Sequence, residues 1–213
     1  MRDSVWPDFA TSRCVRAYER VAPFYDYLDG PYEYLWKRKL RAQMFEGARG
    51  RILDAATGTG KNMPFYPPGA EVVGLDISAG MLERARQRAE RHGIQVALLQ
   101  RDLAETGLPD ACFDAIMAAF VFCCIPEPRK PVALRELRRL LAPGGKLYIL
   151  DYTMPSGPAQ RAYVRLMTPL LKFMFSARYD GHLELHFPSA GLRVAETREF
   201  FGGGVALHVL EAG

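Results

Sequence analysis

Between Arg51 and Asp151 short apolar runs alternate with helical or loop segments, and this alternation constrains the fold more than any other feature of the 213-residue chain. The runs are Arg51-Ile-Leu-Asp54, Glu71-Val-Val-Gly-Leu-Asp76, Ile94 to Gln100, Phe113 to Val121 and Lys146 to Asp151. Strands joined by such crossovers build a parallel, doubly wound sheet with helices on its faces. The nearly unbroken apolar run from Phe113 suits a strand covered on both sides. Between the runs, Ser78 N-caps a predicted helix from about Ala79 to His92 and Gly93 ends it. Pro131 to Leu141 reads as an amphipathic helix and Pro143-Gly-Gly145 as a turn, while Pro64, Pro67 and Pro68 keep any helix after the first strand short.

The flanks differ from this core. The first fifty residues hold both tryptophans and five tyrosines but no strand-like run, which reads as a helical cap. After Asp151 a Pro/Gly-containing loop leads into an apolar, basic stretch from Arg161 to Tyr179. Two alternating runs follow, Arg193 to Phe201 and Val205 to Glu211, joined by Gly202-Gly-Gly204, a hairpin signal. The expected architecture is α/β: a Rossmann-like, doubly wound, seven-stranded sheet, mostly parallel with a C-terminal antiparallel hairpin, plus the N-terminal helical cap. It forms one domain over 1–213, divided into a cap (1–50), a core (51–151), a lid or substrate region (152–192) and the terminal hairpin (193–213).

Composition excludes several classes. An apolar fraction of 49% rules out a disordered chain, and 19 Gly with 15 Pro show no collagen-like period. With 28 Lys+Arg against 24 Asp+Glu the net charge of +4 names no partner, and nucleic acid is not expected. No stretch approaches the roughly 18 apolar residues of a spanning helix, so a cytoplasmic location is expected. Four cysteines form no dense disulfide framework, and Cys123 and Cys124 are adjacent, which strains a mutual bond. The nearest approach to metal spacing, His182-Leu-Glu184-Leu-His186, reads instead as a polar strand edge, and no metal is expected.

In an open α/β sheet ligands bind beyond the carboxyl ends of the strands, where the winding reverses. The first strand runs into Asp54-Ala-Ala56-Thr57-Gly58-Thr-Gly60-Lys-Asn62, whose glycines let backbone amides approach a ligand. Asp76 ends the second strand, where a carboxylate can accept both ribose hydroxyls of a nucleoside. Asp102 follows the third and can accept from an exocyclic amine, with Leu103 beside it to pack on a base. Each signal alone has a plain alternative: a strand-to-helix turn, a helix cap, a solvated acid. Their order within one sheet strengthens the joint reading.

Phosphate-binding motifs fit poorly. A dinucleotide fingerprint G-x-G-x-x-G fails because Gly58-Thr-Gly60-Lys-Asn-Met63 ends in methionine and meets Pro64. A P-loop would need glycine at Ala55 and a hydroxyl at Asn62, so an ATPase reading survives only on Gly60-Lys61. A nucleoside ligand without a phosphate needs neither motif, and S-adenosylmethionine fits that description.

On these residues the chain resembles the class I S-adenosylmethionine-dependent methyltransferases. The matching pieces are Ile52-Leu-Asp54 with Gly58 and Gly60, Val73-Gly-Leu-Asp76-Ile77-Ser78 with Met81, Asp102-Leu103, Leu108-Pro-Asp followed by Phe113-Asp114, and Glu136-Leu with Pro143-Gly-Gly145. The resemblance implies S-adenosyl-L-methionine as cofactor, bound by Tyr18, Asp54, Ala56, Thr57, Gly58, Gly60, Asn62, Asp76, Ile77, Met81, Asp102, Leu103 and Phe120. In that picture Asp54 and the glycine turn lie along the methionine moiety, Asp76 holds the ribose and Ile77 and Met81 flank the adenine. Where the family usually has glycine this chain has Ala56.

The segment Ala17-Tyr18-Glu-Arg20-Val-Ala22-Pro23-Phe-Tyr25-Asp26 is similar to the N-terminal signature of the ubiquinone/menaquinone-biosynthesis type, and closer to that of bacterial phosphatidylethanolamine N-methyltransferases. The resemblance implies an amphipathic or lipid acceptor, a phospholipid amine ahead of a quinone ring or another small molecule, or else a catalytically silent cofactor-binding module. Tyr25, Tyr179 and His186 are the candidate catalytic residues, with Asp180 and His182 nearby. The acid-free, basic and apolar stretch from Arg161 to Tyr179 suits a substrate wall or a peripheral contact with anionic membrane.

Overall fold

The computed structural model describes residues 16, 18–20, 22–162, 164–166 and 182–213. The seven strands are β1 (Arg51–Ala55), β2 (Glu71–Asp76), β3 (Ala97–Gln100), β4 (Phe113–Ala119), β5 (Leu141–Tyr152), β6 (Leu192–Phe200) and β7 (Val205–Ala212). They form one sheet in the order β3-β2-β1-β4-β5-β7-β6. β1 to β5 run parallel, and β7 lies antiparallel between β5 and β6. The winding reverses between β1 and β4, so a cleft opens at their carboxyl ends.

Helices α1 (Tyr25–Tyr32) and α2 (Arg38–Met44) form the cap, joined by a π turn at Glu33–Lys37. Pro31 lies inside α1, where it removes an N–H from the ladder just ahead of the widened turn. Helix α3 (Ala79–His92) starts where the Ser78 hydroxyl accepts from the Met81 amide and ends at Gly93, whose φ of 64° is left-handed. Helix α4 (Lys130–Leu140) completes the set.

Strand alternation divides the core. Leu53, Leu75 and Ile116 face α4, whose Leu134, Leu137 and Leu140 are fully buried, each stabilising the packing by about 2 kcal/mol. Ile52, Val72, Ala115 and Met117 point the other way, against Leu40 and Met44 of α2. Gly80 of α3 lies against the cap, where a Cβ would stand 2.8 Å from Glu19 Oε2 and 3.3 Å from Ala22 Cβ.

Two expectations need correction. Residues 143–145 are not a turn that precedes a separate strand: β5 begins at Leu141, pairs with Phe113, then bulges before Lys146 pairs with Ala115. Gly145 sits where a Cβ would meet the carbonyl oxygens of Ala142 at 2.9 Å and Phe113 at 3.0 Å. His182 to His186 is no strand edge either, because Leu183–His186 is a 3-10 turn. Leu183 and Phe187, four apart, are both buried, which suits a helical rather than an alternating spacing.

Candidate functional site

The cleft beyond β1, β2 and β4 has a volume of about 1060 Å³, open solvent included. Its floor is the turn after β1. The Thr57 amide donates to Leu75 O at 2.8 Å and the Gly58 amide to Asp76 Oδ2 at 2.8 Å, which fastens the turn to the end of β2. Ala56, Gly58 and Gly60 all have positive φ, 60°, 57° and 81°. Nothing lies within 4 Å of where a Gly58 Cβ would stand, so the backbone there faces open space.

Asp76 is held from both sides, its Oδ1 accepting from the Ser78 amide at 2.9 Å. Burial raises its pKa to about 6 against the opposing pull of the Ser78 and Gly58 amides. Asp102 accepts from the Ala104 amide at 2.8 Å and from Arg129 Nη2 at 2.7 Å. Met81, Ile77, Leu103, Ala104 and Ile125 line the same cleft as these two carboxylates with apolar side chains.

Asp54 lies behind the turn and has no solvent exposure. Its carboxylate accepts from Thr57 Oγ1 at 2.7 Å, Asn62 Nδ2 at 2.7 Å and Tyr66 OH at 2.6 Å. Burial raises its pKa in spite of these three bonds.

The cap closes the cleft. Tyr18 and Tyr25 line it with ring centroids 6.3 Å apart, and Tyr18 OH lies 2.7 Å from Cys124 Sγ. Glu19 Oε1 accepts from Ser78 Oγ at 2.9 Å and from the Gly80 amide at 3.3 Å, at the positive end of α3. Asp26 accepts from Thr59 Oγ1 at 2.6 Å and from Arg88 Nη2 at 2.5 Å. Lys61 Nζ stands 3.6 Å from Asp26 and 5.8 Å from the Tyr25 ring centroid.

Phe120, just past β4, also has a positive φ of 55°. Its ring packs between Tyr152 at 5.2 Å and Trp36 at 5.7 Å, with Lys37 Nζ 4.8 Å and Arg41 Cζ 5.2 Å from its centroid.

Of the residues expected at the site, Tyr18, Tyr25, Ala56, Thr57, Gly58, Asp76, Ile77, Met81, Asp102, Leu103 and Phe120 line the cleft. Asp54, Gly60 and Asn62 shape the turn from behind without lining it. His186 stands apart, bonded through Nε2 to Glu127 at 2.8 Å, and His182 pairs with Glu184 at 3.2 Å. Tyr179 and Asp180, with most of the Arg161 to Tyr179 stretch, lie outside the described residues. Sequence reasoning missed the cleft-lining roles of Arg41, Lys61, Arg129 and Cys124. Among the described residues no cluster of three or more His, Cys, Asp or Glu side chains could hold a metal.

Residues 52–145 match the family model described as a methyltransferase domain. The demethylmenaquinone methyltransferase of Thermus thermophilus is 36% identical over 78% of this chain and 79% of its own length. The phosphatidylethanolamine N-methyltransferase of Cereibacter sphaeroides is 34% identical over 64% of this chain and 66% of its own. A crystal structure of a SAM-dependent methyltransferase from Aquifex aeolicus superposes with a TM-score of 0.66 at 22% identity, covering 90% of this chain and 98% of that one, and so shares the fold.

Proposed function

The chain belongs to the S-adenosylmethionine-dependent methyltransferases, and we propose that its methyl acceptor is a reduced quinone ring. The similarity to the Thermus demethylmenaquinone methyltransferase, over about four-fifths of both chains, carries this reading. The phospholipid amine favoured by the Tyr18 to Asp26 signature is the second reading, supported by the Cereibacter relative.

The pocket suits a nucleoside. Asp76 offers oxygens to ribose hydroxyls, the slot of Ile77, Met81 and Leu103 takes a base, and Asp102 accepts from its exocyclic amine. The open Gly58 backbone allows a ligand to lie directly on the turn. Bound there, S-adenosylmethionine supplies an electrophilic methyl on a sulfonium, and the protein has to aim a nucleophile at it and exclude water.

The charge at the other end of the cleft favours a phenolate. Lys61, beside the Tyr25 ring, lines the cleft there, while the lining carboxylates, Asp76 and Asp102, are taken up by the nucleoside. A cation beside the acceptor holds an anionic nucleophile and lowers the pKa of a quinol hydroxyl. Carbon methylation of a phenolate leaves a neutral product, whereas amine methylation leaves a cation beside Lys61. Tyr25 and Phe120 wall the ring, and Tyr18 closes over it with the cap. The exposed Phe24, Tyr27, Tyr34 and Leu35 on the cap would meet the acceptor's apolar tail or the lipid that holds it.

Methyl-labelled cofactor incubated separately with a reduced demethylated naphthoquinone and with phosphatidylethanolamine vesicles tests the choice. Label on the ring carbon is expected. Label only on the phospholipid would replace the first reading by the second, and cofactor binding without any labelled product would make the chain a silent module.

A further inference from the structure

Arg41 is 6% exposed, yet it lines the cleft. Its Nε donates to Glu33 Oε2 at 3.1 Å and its Nη1 to Asn62 Oδ1 at 2.7 Å, and its guanidinium lies over the Phe120 ring. Nη2 has no acceptor among the described residues. Among those residues no fully buried side-chain nitrogen or oxygen lacks a partner, so Nη2 is open to the cleft.

The group is also fixed from behind. Asn62 donates through Nδ2 to Asp54 Oδ1 at 2.7 Å, which leaves its Oδ1 to accept from Arg41. Thr57 and Tyr66 hold the Asp54 carboxylate in turn. The chain Asp54, Asn62, Arg41 therefore orients a guanidinium whose one free edge faces the ligand. A charge so far removed from water, bonded directly to one carboxylate and that through Nε alone, is poised for an anion.

We propose that Arg41 binds the α-carboxylate of the cofactor's methionine end through Nη2, with Asn62 and Asp54 as positioning residues. The inference rests on the cofactor assignment. Arg41 packs on Phe120, just past β4, and bonds Asn62 of the turn after β1, whereas Asp76 ends β2 and Asp102 follows β3, on the other side of β1 in the sheet. The cofactor's group farthest from its base is an amino acid, and its planar carboxylate matches a guanidinium edge. This gives Asp54 a part at the methionine end although it does not line the cleft.

Calorimetric titration with S-adenosylhomocysteine and with 5′-methylthioadenosine, which has the same nucleoside and sulfur but no carboxylate, tests the assignment. Arg41→Gln should weaken S-adenosylhomocysteine about 10- to 100-fold and 5′-methylthioadenosine less than about 3-fold. Arg41→Lys should recover part of the difference, and it serves as the second variant should Arg41→Gln fold poorly. Asn62→Ala keeps the charge, loses its orientation, and should take an intermediate share of the discrimination. Equal weakening of both ligands, or of neither, overturns the proposal while the cofactor assignment stands. A wild-type chain that binds neither ligand overturns both.

Discussion

Asp26 of the cap and Arg88 of α3, 62 positions apart in sequence, meet at 2.5 Å with both side chains about a third or less exposed. Thr59 of the glycine turn donates to the same Asp26, and Arg88 Nε also reaches Thr59 O at 2.8 Å. Cap, turn and core helix are thus joined at one carboxylate beside the cleft. Asp26→Ala should loosen the cap far more than the core, because the sheet makes no use of the bond. Trypsin should cut faster at Arg16 and Arg20 while global stability falls by no more than about 1–2 kcal/mol. Unchanged cleavage would mean that the remaining contacts, Glu19 on α3 and Tyr18 on Cys124 among them, hold the cap without Asp26.

Asp76 links binding to pH. Its folded pKa of about 6 lies above the ordinary 3.8, so the folded protein binds more protons than the unfolded chain between roughly pH 4 and 6. Its contribution to stability is fully present below about pH 4 and is lost as pH rises through 6. Ribose hydroxyls need the ionised form, so affinity has the opposite dependence. Titration with S-adenosylhomocysteine should show binding weakening below about pH 6, and Asp76→Ala should cost on the order of 10- to 100-fold at pH 7.5. Flat affinity from pH 5 to 8 would contradict the assigned role.

What was legible in sequence was local. Ser78 and Gly93 mark the ends of α3 because a cap bonds within a turn of its own position, and the glycine turn followed by Asp76 repeats a geometry every nucleoside-binding sheet must solve. The bulge in β5 was not legible, since Pro143-Gly-Gly145 signals a turn equally well inside or outside a ladder. Arg41 and Arg129 gave no signal. Arg41 sits in the basic run Lys37-Arg38-Lys39-Leu40-Arg41, and it shares the Phe120 ring with Lys37, so the bond to Asn62, made only in the tertiary fold, distinguishes it.

Ala56 is an alanine in a glycine's conformation. Its φ of 60° costs an L residue about 1–2 kcal/mol, and glycine would return about 0.4–1 kcal/mol of that as extra freedom in the unfolded chain. Ala56→Gly is expected to stabilise the protein by up to about 1 kcal/mol, raising Tm by about 2–4 °C at the upper end. Differential scanning calorimetry checks the sign. A lower Tm would show that the Ala56 methyl makes packing contacts worth more than the strain.

Lys61 separates an electrostatic from a structural role at the acceptor. Its side chain is 9% exposed, and it stands beside Asp26 and over the Tyr25 ring, lining the cleft proposed for the quinol. A phenol titrates near pH 10 in water, and a cation within about 4–6 Å favours its ionised form by one to three pKa units. Removing the charge in Lys61→Gln should move the acidic limb of kcat/KM upward by about one pH unit or more. Activity should then recover toward the wild-type value at alkaline pH. A residue that only props up Asp26 would lower the rate by the same factor at every pH. Measuring kcat/KM from pH 6 to 10 with a reduced demethylated naphthoquinone distinguishes the two, and a parallel drop would remove Lys61 from the chemistry while leaving its pairing with Asp26 intact.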